Sequence, residues 1–277
     1  MEGRRGAYFD TAGTMRDIVQ NHMLQLLCLM AMEPPSALEA EAIRDEKVKV
    51  LRALVTPDRD EVARATIRGQ YGVGEREGAI VKGYRQEEGV DPASETETYI
   101  ALRLRLDNWR WAGVPFLLRS GKRLSKRATE IAVQFRQPPL HLFRHLGSPQ
   151  AMPQPNVLLL RIQPDEGISL SFACKQPGMH MQLQSVQMDF FYEQAFAQRS
   201  PEAYERLLLD AMRGDASLFT RSDEVDYAWR YVTAVLDGWG ALPAPTFPNY
   251  YPFTDGPREA ATLLEDLHGG WRALADM

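Results

Sequence analysis

Apolar residues fall into three blocks along this chain, and the period changes from block to block. In the first, Met23, Leu24, Leu26, Leu27, Cys28, Leu29 and Met30 form a dense run behind Asp17. Such a run predicts a buried helix over 17–32, stopped by Pro34-Pro35. Ser36-Ala37-Leu38-Glu39 has capping-box spacing. The helix it starts, or a shorter one from about residue 43, carries Ile43, Lys47, Val50, Leu51 and Leu54 at helical spacing.

The second block has period two. Over 98–106, Ile100, Leu102, Leu104 and Leu106 share one face, and Tyr99, Ala101, Arg103 and Arg105 the other. Residues 129–136 repeat this with Ile131, Val133 and Phe135 inward, and 115–118, 157–162, 168–174 and 186–192 read as further strands. Short connections predict antiparallel pairing. One polar face predicts a sheet covered on one side, with the other wet or used for association.

The third block returns to helix. Ser200-Pro201 offers an N-cap with proline at the first helical position. Tyr204, Leu207, Leu208 and Ala211 then recur, and Gly214 ends the element. Ser222 opens a helix burying Val225, Trp229, Val232, Val235 and Leu236, and 257–267 predicts a third. Residues 241–256, rich in proline and aromatics, read as a long ordered loop. The pattern predicts one α+β domain over 1–277: a large, mostly antiparallel sheet with helices packed on one face.

Composition narrows the function classes. The 277 residues carry a net charge of −5, against the basic face that nucleic-acid binding needs. Two cysteines, Cys28 and Cys174, give no disulfide framework, so a reducing compartment is expected. The N-terminus shows no apolar signal core, and the run 23–32 is too short to cross a bilayer. A soluble cytoplasmic protein is expected, bound to neither nucleic acid nor membrane.

Candidate chemistry concentrates in two places. Arg16-Asp17-Ile18-Val19-Gln20-Asn21-His22 sets a carboxylate, two amides and a histidine at the first turns of the apolar helix. A histidine takes a proton near neutral pH, and a carboxylate holds a sugar hydroxyl. Alternatively Asp17 serves the positive end of the helix dipole, and Asn21 and His22 are hydrogen-bonded at the edge of a core. On a regular helix positions 17 and 22 lie about 140° apart, able to flank one ligand but not to stack on one face. The second place is 119–127, with Arg119, Lys122, Arg123, Lys126 and Arg127 around Gly121, which permits a tight turn. Such charge suits a phosphate or is a solvated hairpin tip. Gln163, at the end of a strand and before Pro164, offers an amide to a sugar hydroxyl or is an ordinary loop residue. Gly69, Gly72, Gly74 and Gly78 read as a turn between strands; no G-x-G-x-x-G unit follows a strand and opens a helix. No metal site is expected.

Taken together, the chain resembles the glucose-6-phosphate dehydrogenase family. The resemblance is carried by Arg5-Gly6-Ala7-Tyr8-Phe9-Asp10, Arg16-Asp17 through Leu27, Ala31 to Pro35 and Arg44-Asp45-Glu46-Lys47-Val48-Lys49-Val50-Leu51. Gly69-Gln70-Tyr71, Gly113-Val114-Pro115-Phe116, Leu118-Arg119-Ser120-Gly121-Lys122, Arg161-Ile162-Gln163-Pro164, Pro177-Gly178-Met179, Ala203 to Asp210 and Arg221 to Glu224 continue it. It implies that His22 is the general base for the C1 hydroxyl of the sugar. It implies that Asp17, Lys122, Arg127 and Gln163 bind glucose 6-phosphate, and that hydride passes to NADP, giving a phosphogluconolactone. The family fold is a nucleotide-binding domain followed by a β+α domain whose sheet also forms the dimer interface, so a homodimer through the sheet is implied. The coenzyme domain, with the upstream Asp-His-Tyr-Leu-Gly-Lys segment, has no counterpart here, and position 128 is Ala where some members bind a second nucleotide through a basic residue. Three readings follow: the C-terminal part of a dehydrogenase, active only when joined to a coenzyme domain; a non-catalytic fragment that dimerises with full-length subunits through its sheet; and a sugar-phosphate binding module without redox chemistry.

Overall fold

A computed structural model describes residues 6–137, 154–179, 182–197, 203–267 and 270–273. Two compact units divide the chain, residues 1–126 with 207–277 and residues 127–206.

The first unit begins with α1 (Gly6–Thr14), which runs into a π-helix (Met15–Met23) and then α2 (Leu24–Ala31). The predicted single helix over 17–32 is therefore two, with a change of winding. α3 (Ala40–Ala53) follows Glu39, which supplies no side-chain cap; residues 36–39 are bends, so the capping-box spacing there starts no helix. α4 (Arg59–Ala65) opens on Asp58, whose carboxylate accepts the Glu61 N–H at 2.8 Å. α7 (Ser222–Gly240) is held at its start by Glu224, which accepts the Arg221 N–H at 3.0 Å. Ala228, Tyr231, Val232 and Val235 of α7 are buried, whereas Trp229 is 36% exposed rather than inward. α3 and α7 share a buried ion pair, Lys47 to Glu224 at 2.6 Å. Lys47 thus occupies a core position because an anion waits for it there.

Three strands carry this unit, β1 (Thr66–Gly69), β4 (Tyr99–Leu104) and β5 (Phe116–Gly121), antiparallel in the order β1-β4-β5. The inward row Ile100, Leu102, Leu104 and Leu106 packs with Met15, Val19, Leu24, Leu51, Val62 and Val235. The face expected to be wet or used for association is instead a second core. Tyr99 and Ala101 are buried with Phe9, Tyr71, Tyr84, Tyr250 and Leu263. The covering comes from the proline- and aromatic-rich segment and the 3₁₀ helix Arg258–Leu264, which takes the place of the α-helix expected over 257–267. Arg103 still reaches outward, to Asp266 at 2.5 and 2.8 Å. The clustered glycines border the small hairpin β2 (Gly74–Arg76) and β3 (Ala79–Val81), a turn between strands as read.

The second unit is a four-stranded antiparallel sheet in the order β6-β7-β8-β9: Thr129–Gln134, Val157–Gln163, Gly167–Lys175 and Leu183–Phe191. The helix α5 (Tyr192–Phe196) follows it, and α6 (Ala203–Arg213) ends before Gly214. Ser200-Pro201 lies outside the described residues. The class is α+β; among the described residues the strands pair antiparallel and divide into sheets of three, two and four, with isolated parallel bridges at Tyr71–Tyr250 and Leu124–Thr254. At the end of the first unit's segment 1–126, Leu124 bridges Thr254 and the Ser125 N–H donates to the Thr254 carbonyl at 3.0 Å.

Candidate active site

Asp17 and His22 sit on the π-helix, and that winding changes their relation. The Leu24 N–H bonds to the Val19 carbonyl, five residues back. An i→i+5 pattern sets residues five apart about one turn above each other. Asp17 and His22 therefore share a side of the helix, in place of the 140° separation that regular winding would impose. Val19 and Met15 are fully buried on the opposite side and lock the segment to the core, while His22 is exposed and Asp17 half-buried.

Lys122 arrives from the end of β5. Its ammonium lies 3.9 Å from Asp17 Oδ2 and 4.7 Å from the centre of the Phe9 ring. The Asp17–Lys122 pair is about a third exposed on each side and stands at the limit of ion-pair contact, an arrangement that contributes little stability by itself. The ring face attracts the cation by its quadrupole and holds it without using its protons. Tyr8 donates to Asp17 Oδ1 at 3.5 Å. An exposed imidazole thus sits on the same π-helix as a half-buried carboxylate that an ammonium, about a third exposed, approaches.

The basic turn is an anchored structure and not a solvated tip. The Lys122 N–H donates to the Thr98 carbonyl at 2.8 Å. The Tyr250 hydroxyl donates to the Lys122 carbonyl at 2.8 Å and meets Thr98 Oγ1 at 2.9 Å. Arg123 takes the left-handed conformation, φ 56°, and donates to Glu87 at 3.2 Å. Gly121 is needed for a different reason from the one its turn predicts: a Cβ there would stand 2.6 Å from the Tyr99 ring. Phe9, Glu97, Thr98 and Tyr250, which hold these groups, carry no local signal in the sequence.

Arg127 and Gln163 belong to the second unit. Both are exposed; Arg127 precedes β6, and Gln163 ends β7 opposite Thr129, followed by a cis bond to Pro164.

A dinucleotide does not fit the residues present. The described strands pair only antiparallel, and the glycine cluster opens no helix. Gly72 and Gly74 instead pack against Pro248 and Pro252. The parallel strand, glycine turn and helix N-terminus that cradle a pyrophosphate are not among the described residues. No His, Cys, Asp or Glu cluster of metal-binding form occurs among them either, and no described helix is long and apolar enough to cross a membrane.

An α+β unit that brings a carboxylate and an ammonium together beside an exposed imidazole has the groups to hold a polar, anionic ligand. Comparison makes the class particular. The family model described as glucose-6-phosphate dehydrogenase, C-terminal domain, matches residues 1–272, and the chain belongs to that family. It is 46% identical over 272 residues to the glucose-6-phosphate 1-dehydrogenase of Chlamydia pneumoniae, covering 98% of this chain and 52% of that protein. It is 48% identical over 273 residues to that of Mycolicibacterium smegmatis, covering 97% and 54%. Among solved structures it matches glucose-6-phosphate 1-dehydrogenase from Mycobacterium avium with a TM-score of 0.80 and 35% identity, over all of this chain and 54% of that one. A glucose-6-phosphate dehydrogenase in complex with its substrate glucose 6-phosphate matches with a TM-score of 0.81 and 37% identity, over 95% and 52%. The chain thus spans about half the length of the relatives it matches.

Proposed function

We propose that this chain is the substrate-binding part of an NADP-dependent glucose-6-phosphate dehydrogenase. The observation that carries the reading is the π-helix, which turns Asp17 and His22 to one side with Lys122 3.9 Å from Asp17. NADP, when bound by a coenzyme domain, supplies the hydride acceptor; the residues described here do not form its site. In this reading Lys122 gives a point charge to the phosphorylated sugar, and Asp17 accepts a hydrogen bond from a sugar hydroxyl. His22 takes the proton from the C1 hydroxyl, a contribution on the order of 10²–10⁴-fold for a positioned base. Arg127 and Gln163 are proposed as contacts of the same substrate, each tested by its own alanine substitution.

Titration calorimetry with glucose 6-phosphate is the test. Binding by the parent chain and its loss in Lys122→Ala support the reading; a parent chain that does not bind refutes it as a property of this chain. NADP reduction by the chain alone is expected to be absent, and measurable turnover would overturn the assignment of hydride acceptance to a separate domain.

A second role, assembly through the sheet, is favoured by one observation. Ile168 pairs with Phe190 and Leu170 with Met188 across β8 and β9, and Ile168, Met188 and Phe190 are 38%, 62% and 38% exposed. An aligned apolar row on an open sheet face marks an association surface. Light scattering is expected to give twice the chain mass of 31.4 kDa, and Met188→Asp with Phe190→Asp to give the single mass. The two free cysteines, Cys28 buried and Cys174 partly so, fit a reducing cytoplasm.

A further inference from the structure

Glu97 stands where the two halves of the site are joined. It lies just before β4, and its residue is 6% exposed. Its carbonyl accepts the Thr14 N–H at 3.2 Å and the Thr14 hydroxyl at 3.0 Å. Its side-chain Oε1 accepts the Met15 N–H at 2.8 Å. These are the last residue of α1 and the first of the π-helix, so the helix that carries Asp17 and His22 starts on a cap supplied 82 residues away. Gly13 admits that cap. Its φ of +67° kinks α1 away, and a Cβ on it would stand 2.5 Å from Glu97 Oε1. Thr14 itself gives the helix no side-chain cap.

The neighbouring residue holds the other half. The Thr98 carbonyl accepts the Lys122 N–H at 2.8 Å, and the Thr98 hydroxyl meets Tyr250, which donates to the Lys122 carbonyl. One dipeptide therefore grips the start of the π-helix with its first residue and the Lys122 turn with its second. A side-chain cap made by Thr14 would satisfy a donor one or two residues further into the helix but leave it unregistered against β4 and β5. Burial pushes the Glu97 pKa up, with the Met15 N–H and the charges of Arg16 and Arg68 opposing the rise. The site holds a costly buried group where a local hydroxyl would serve a helix alone.

We infer that Glu97 is a positioning residue: it sets the height and rotation of the π-helix, and so the placing of Asp17 and His22 against Lys122. A displacement of about 1 Å at such groups costs on the order of 10²-fold in a productive alignment.

Three variants test it. Glu97→Ala removes the acceptor, Glu97→Asp shortens its reach by one methylene, and Glu97→Gln keeps an oxygen at the same reach. The first readout needs no ligand. In amide spectra of the folded chain, Glu97→Ala and Glu97→Asp are expected to displace the Asp17, His22 and Lys122 signals together, and Glu97→Gln to leave them near their parent positions. Unmoved signals in whichever of the first two folds, checked by circular dichroism, would overturn the inference; so would Glu97→Gln displacing them as far as alanine does. The second readout rests on the substrate reading above. Glucose 6-phosphate affinity is expected to fall on the order of ten-fold or more in Glu97→Ala and to be restored in Glu97→Gln; parent affinity in Glu97→Ala refutes the inference. Absence of binding by the parent chain counts against the substrate reading alone, and the spectra then decide.

Discussion

Tyr250→Phe isolates one proton that the site depends on. The ring of Tyr250 packs edge-on against Tyr71 at 6.3 Å and at a tilt against Tyr99 at 5.7 Å, and phenylalanine keeps both contacts. What goes is a hydroxyl 2.8 Å from the Lys122 carbonyl and 2.9 Å from Thr98 Oγ1. A phenol has a single proton. The shorter contact assigns it to the Lys122 carbonyl, so the Thr98 hydroxyl is the donor in the other bond, while Thr98 Oγ1 itself accepts the Tyr71 N–H at 3.1 Å. Substitution leaves the buried Thr98 proton without that acceptor and removes this donor from Lys122. Leaving buried polar groups unsatisfied costs roughly 1–3 kcal/mol, which in a chain of this size is about 2–12 °C in Tm. The Lys122 turn should also exchange its amide protons faster, and glucose 6-phosphate affinity should fall on the order of ten-fold as Lys122 loses its fixed height.

The pH dependence checks the mechanism. Burial raises the Tyr250 pKa, the Thr98 hydrogen bond opposing it, so the folded hydroxyl keeps its proton through neutrality. A raised folded pKa contributes stability that is fully present below the unfolded value, near 10, and is lost as pH rises beyond it. The gap between parent and Tyr250→Phe should therefore be level from pH 6 to 9 and narrow above about 10. Thermal unfolding followed by circular dichroism measures the gap. An unchanged Tm together with unchanged exchange at Lys122 would refute the proposed role of the hydroxyl.

Other substitutions test the frame around the site. Lys47→Met leaves Glu224 buried without its cation and should cost about 3–5 kcal/mol, and Lys47→Met with Glu224→Gln should recover most of it in urea unfolding, because glutamine still caps Arg221. Gly121→Ala drives a methyl toward the Tyr99 ring and should cost about 1–3 kcal/mol, whereas Gly240→Ala, with nothing within 4 Å of the new Cβ, should be near neutral in the same assay. Cys28, its pKa pushed up to about 12 by burial, should resist a thiol reagent at pH 8 while Cys174 reacts. The folded thiol stays neutral where an unfolded one ionises, so the stability Cys28 lends below pH 9 should fade between 9 and about 12.

The strands were legible because each carries its own local signal, a period of two at 98–106 and 129–136 and a short apolar run at 157–162. Residues 129–136, 157–162, 168–174 and 186–192 each lie within a residue or a few of an observed strand. What alternation could not reveal is what covers the second face. Tyr99 and Ala101 read as the wet side of β4 because aromatic and small residues are compatible with either side. The cover comes from Tyr250 and Leu263, about 150 residues on, and no local period encodes that return. The same distance hid Glu97 and Thr98. Each is an ordinary polar residue before a strand until Thr14, Met15 and Lys122 are brought to it.

The π-helix was the harder case, and it decides the site. Hydrophobic spacing over 15–31 fits regular winding well enough that one helix is the natural reading, and on regular winding Asp17 and His22 face apart. A π segment forgoes i→i+4 bonds, so it persists only where something over-determines it. Here the lower end is gripped by Glu97 through Met15 and the upper end continues into α2, whose Leu24, Leu27 and Cys28 are buried in the core. With both ends fixed, the intervening segment keeps its wider winding, on which residues five apart, such as Asp17 and His22, lie about one turn above each other. Winding, cap and chemistry are then one device, in which the carboxylate of residue 97 does for geometry what the imidazole of residue 22 is proposed to do for the proton.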